Sequence, residues 1–138
     1  MPIADLILAI QHATGPVRAL DNQIALAIGY KKKTTRIKAA NGHDVRKIVW
    51  LNPANSAEKP RAPHFTGSLD AAQLLALTLV PGCAAAFTWG GEFSTARIDD
   101  GPRFSAANPM LALCVAALNA VFGDYKNEGR GEQGTAAW

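Results

Sequence analysis

The dipeptide Asn41-Gly42, set between the β-prone runs Lys31 to Ala40 and His43 to Leu51, constrains this chain more than any other feature. A two-residue type I′ turn needs positive φ at both central positions, which Asn and Gly tolerate, so the pattern is the strongest short-range signal for a β-hairpin. The chain is then expected to contain an antiparallel strand pair. The same stretch concentrates charge. Seven of the 14 Lys and Arg lie between residues 31 and 47, with only Asp44 opposing them. The alternation along both runs is imperfect, so the hydrophobic pattern leaves the register open.

Helix signals flank this hairpin. Ile3, Leu6, Ile7 and Ile10 follow the spacing of an amphipathic helix. Thr14-Gly15-Pro16 stops it, and Pro16 suits the first position of a second helix carrying Leu20, Ile24, Ala27 and Ile28, with Gly29 as its αL cap. Asn52 to His64 contains three prolines and reads as a loop. Ser68 caps a third helix through Ala72, Leu75 and Leu79, ending at Pro81-Gly82. A second hairpin turning at Gly90-Gly91 would pair Trp89 with Glu92, Phe87 with Ser94, Ala85 with Ala96 and Cys83 with Ile98. One face is then mostly apolar and turned to helices, while Thr88, Thr95 and Arg97 lie on the wetter face. Asn108 and Pro109 open a last helix with a wide apolar stripe from Leu111 to Phe122.

The expected order is α-α-β-β-α-β-β-α, an α+β domain built on one four-stranded, mainly antiparallel sheet packed with helices. One domain is expected over residues 1–123, with a flexible, Gly-rich, charged tail over 124–138. Apolar residues make up 49% of the chain and charged residues 18%, which suits a packed globular core. No apolar run approaches the roughly 20 residues of a membrane helix. The start Met1-Pro2-Ile3-Ala4-Asp5 lacks the basic region of a secretory signal. A cytoplasmic location and no membrane partner are expected.

Chemistry-bearing residues are sparse. His12, His43 and His64 fall in three different settings, and no His, Cys, Asp or Glu group has metal-ligand spacing. Cys83, placed on a strand, and Cys114, on the apolar face of the last helix, read as buried thiols. Asp99-Asp100 beside Gly101-Pro102 reads as a turn. No catalytic residue, metal or cofactor is assigned, and the chain is read as a non-enzyme. The candidate ligand-binding residues are Lys33, Arg36, Lys38, Arg46, Lys47, Trp50 and Arg97. Cations beside an aromatic suit a phosphorylated ligand, with Trp50 able to stack on a base. Against that stand two structural readings: lysines that guard a solvated sheet edge, and Trp50 and Trp89 as core residues.

Three phrases also carry a resemblance: Ala13-Thr14-Gly15-Pro16-Val17-Arg18-Ala19-Leu20-Asp21, Phe65 to Ala72, and Asn108 to Leu118. Together they resemble small phage and prophage proteins of the α/β/α ("ABA") sandwich domain type. The resemblance implies helices on both faces of the sheet and a phage-encoded accessory protein in the host cytoplasm, with no catalytic residue to carry over. In that setting the basic hairpin suggests a non-enzymatic anti-defence protein that sequesters a nucleotide-type immune signalling molecule, with a homo-oligomer expected in the manner of small proteins of this kind. The alternative is a nucleic-acid-binding or host-protein-binding accessory.

Overall fold

The structure, a computed structural model, describes residues 2–38, 40–53, 58–90 and 92–123. The last helix organises it. This helix, Pro109–Phe122, buries every residue from Leu111 to Leu118. A helix apolar on all sides needs neighbours on all sides, and it has them. Helices Ile3–His12 and Leu69–Leu79 pack on it, as do the strands Ala85–Phe87, Ser94–Ile98 and Phe104–Ala106. Its start follows from chemistry: Leu111 N donates to Asn108 Oδ1 at 2.8 Å, and Pro109 occupies the first turn. Ser68 caps the Leu69–Leu79 helix in the same way, accepting from Ala71 N.

In chain order the elements are α1 (Ile3–His12), α2 (Arg18–Ala27), β1 (Lys31–Lys38), β2 (Asp44–Leu51), β3 (Glu58–Lys59), α3 (Leu69–Leu79), β4 (Ala85–Phe87), β5 (Ser94–Ile98), β6 (Phe104–Ala106) and α4 (Pro109–Phe122). The α+β class and the helix order agree with the sequence. The single four-stranded sheet does not. Each hairpin instead recruits a short third strand of its own, giving separate antiparallel sheets β1-β2-β3 and β4-β5-β6. Glu58–Lys59 pairs with β2 inside the stretch expected to be loop, and Phe104–Ala106 pairs with β5. Strands of two and three residues carry too little pattern to be read in sequence. Helices α4 and α1 lie against the second sheet, whose Ser94, Ala96 and Ile98 are buried while Ser105 on the other face is exposed. Among the described residues this is a layer of helices on one face of the sheet, where the resemblance implies cover on both. The expected tail over 124–138 lies outside the described residues.

Three local readings change with the structure. Helix α2 starts at Arg18, two residues after Pro16, with Val17 as its N-cap. In the second sheet Ala85 faces Ile98 and Phe87 faces Ala96, two residues from the expected pairing. A two-residue shift preserves the side-chain face, so the apolar face survives. The shift does move Cys83 off the strand. It also leaves Trp89 beyond the last ladder bond, from Thr88 N to Thr95 O, where it is 70% exposed instead of in the core.

A buried polar cluster ties α2 to the segment before α3. Asp21 Oδ1 accepts from Thr66 N at 2.8 Å and from Thr66 Oγ1 at 2.7 Å, and Asp21 Oδ2 accepts from Arg18 Nη1 at 2.7 Å. Arg18 also donates to the Ala62 and Pro63 carbonyls. Burying a carboxylate costs free energy unless its oxygens are paired, and both are. The cluster holds Phe65 in the core beside Cys114, whose thiol donates to the Phe65 carbonyl.

Candidate functional site

The basic hairpin leaves the body as a ribbon. Gly29 adopts φ +107° after α2, Tyr30 N donates to Ala25 O and Gly29 N to Leu26 O. That is the Schellman arrangement, which turns the chain sharply out of a helix. The buried Tyr30 side chain anchors the turn, its ring meeting Phe65 edge-on at 6.4 Å. Burial pushes the Tyr30 hydroxyl pKa up. Beyond this anchor every residue of β1 is exposed, as is β2 from Asp44 to Ile48. Only Val49 and Trp50, on opposite faces of β2, enter the interior. Strands of this length give a ribbon about 26 Å long, at about 3.3 Å per residue.

The register decides what the ribbon presents. Lys38 pairs with Asp44, so five residues, 39–43, connect the strands in place of a two-residue Asn-Gly turn. Gly42 still supplies a positive φ of +86°, and Asn41 Oδ1 accepts from His43 N. From the pairing, one face carries Lys31, Lys33, Thr35, Ile37, Val45 and Lys47. The other carries Lys32, Thr34, Arg36, Lys38, Asp44, Arg46 and Ile48. Arg36 stands directly opposite Arg46, and neither forms an ion pair with a described residue.

The seven candidate residues therefore do not converge. Lys33 and Lys47 share one face; Arg36, Lys38 and Arg46 share the other. Trp50 lies at the root on this second face, is 5% exposed, and has the Lys32 ammonium 5.7 Å from its ring centre. It packs in the core and offers no open ring for a base. Arg97 belongs to β5 in the other sheet, donating from Nε to the Asp99 carbonyl and lying 3.8 Å from the Asp100 carboxylate. One cation was missed in sequence: Lys59 on β3 pairs with Trp50, extending the Lys32 row across three strands. A two-residue strand between prolines offers no periodicity that would have revealed it.

Charge is segregated as well as exposed. From Lys31 to Leu51 seven basic residues meet one acid, a balance of +6, while the whole chain carries +3, so everything outside the ribbon sums to −3. Among the described residues no group of His, Cys, Asp and Glu could hold a metal, and no helix is long and apolar enough to cross a membrane. Both cysteines are free thiols. Cys114 is fully buried, and burial raises its pKa strongly, with the Asp21 charge adding to the effect. Cys83 is half-buried, not fully buried as the sequence suggested, and burial followed by the Asp99 charge raises its pKa as well, so both thiols are held toward the unreactive protonated form. No protein-family model matches the chain, and neither does any curated protein or solved structure.

Proposed function

We propose that this protein binds duplex DNA non-enzymatically, laying the β1–β2 ribbon into a groove so that the cations on both of its faces reach phosphates. The observation that carries this reading is the Arg36–Arg46 cross-strand pair, backed on the opposite face by Lys33 and Lys47. Like charges placed directly opposite destabilise a ribbon in water, and a polyanion on both sides turns that repulsion into attraction. Two-stranded ribbons enter DNA grooves in this way. A single nucleotide would touch one face only and leave the other set of cations unused. The acidic remainder of the molecule favours an approach with the ribbon leading. Such a protein fits the phage accessory role that the resemblance implies, with the nucleic-acid alternative preferred to nucleotide sequestration.

The test is fluorescence anisotropy with a labelled 20-base-pair duplex across a salt series. Each phosphate neutralised contributes a slope of about −0.9 in log K against log salt. Replacing both Arg36→Gln and Arg46→Gln should therefore weaken binding and flatten the slope by nearly two such contributions. Native mass spectrometry against cyclic and linear nucleotides runs in parallel. A discrete bound nucleotide together with no salt-dependent duplex binding would overturn the proposal in favour of sequestration.

A further inference from the structure

Ile37 and Val45 are the directly opposed apolar pair of the exposed ribbon, 46% and 43% exposed, next to its last strand pair, Lys38 with Asp44. They lie on the face that carries Lys33 and Lys47, opposite the arginine pair. A cross-strand aliphatic pair supports a hairpin, but that role asks only for contact between the two side chains. Here both remain open to water at the outer end of the ribbon, and the third exposed aliphatic, Ile48, stands apart from them, nearer the root on the opposite face and paired with Thr34. Apolar aliphatic side chains flanked by Lys and Arg are the means by which proteins in the minor groove part a base step, unstacking it and kinking the duplex.

Resting on the duplex-binding reading above, we infer that Ile37 and Val45 form a wedge that enters a base step from the minor groove, so that the protein bends the DNA it binds. Lys47, one pair closer to the root on the same face, and Lys33 beyond it would hold the phosphates beside the opened step. Arg36 and Arg46, on the face turned away from the opened step, are left to reach phosphates on the other side of the ribbon. The wedge is read by shape and carries no hydrogen-bond code, so flexible pyrimidine–purine steps such as TA are the expected sites.

The experiment uses the full chain and a duplex with dyes at both ends and 2-aminopurine at a central TA step. Binding should shorten the end-to-end distance and raise 2-aminopurine fluorescence. The double variant Ile37→Thr/Val45→Thr keeps β-branched side chains at exposed positions. It should retain affinity within about threefold while losing both signals, its fold checked by circular dichroism. The fluorescence rise in the natural chain needs no variant and stands even if that one fails to fold. Duplex bound without either signal, or bent equally by the folded double variant, overturns the wedge and leaves DNA binding intact. No duplex binding by the natural chain overturns both.

Discussion

At the scale of single residues, the side chains with the most demanding chemistry serve the core and not a reaction. Asp21 is 1% exposed, and its oxygens take up the Arg18 guanidinium, the Thr66 amide and the Thr66 hydroxyl. Cys114 is walled in by α4 and the Phe65 carbonyl. Burial raises its pKa well above the ordinary 9.0, the Asp21 charge second to it. Above pH 9 the unfolded chain therefore releases a proton that the folded chain keeps, and folding stability falls as pH rises; below pH 9 the contribution is fully present. Urea melts at pH 8 and pH 10 should show this loss, and Cys114→Ala should reduce it. An unchanged alkaline loss in that variant would mean that other groups, such as Tyr30, carry it. The burial of Cys114 on α4 was legible in sequence; the Asp21 cluster and its charge beside that thiol were not, because residues 21, 66 and 114 meet only in three dimensions.

At the scale of elements, caps and apolar spacing located the four helices, and Asn41-Gly42 located the ribbon. What those signals missed was the start of α2, where Pro16 lies outside the helix and Val17 N is held by Thr66 Oγ1 at 2.9 Å. They also left the register of the first hairpin open and placed that of the second two residues off. The ribbon is stabilised mainly by its own ladder, and an isolated two-stranded hairpin is marginal in water. Removing its internal repulsion should therefore help it. We expect Arg46→Thr to leave melting unchanged or to add up to about 0.5 kcal/mol of stability. The same change should weaken duplex binding several-fold. Thermal melts and anisotropy on one preparation check both halves. A drop in stability with unchanged binding would mean that Arg46 serves the ribbon and not a ligand.

At the scale of the whole molecule, a packed body carries an arm that is exposed beyond its root. Helix α4, surrounded by α1, α3 and the second sheet, should hold amide protection close to global stability, whereas ribbon amides from Lys33 to Ile48 should exchange first. Hydrogen exchange with and without duplex DNA checks this: binding should slow exchange in the ribbon and leave α4 as it was. Sequence by itself determined the helices, the class, the presence of two hairpins and the clustering of charge, since capping, periodicity and turn chemistry act between residues close along the chain. Only the tertiary structure decided that the hairpins form two sheets instead of one, that Trp50 is buried and Trp89 is not, and that the cations divide between two faces. Those outcomes depend on strand register and on what packs against each face. A one-residue change of register moves every side chain to the other side, and the forces that select it come from segments far away in sequence.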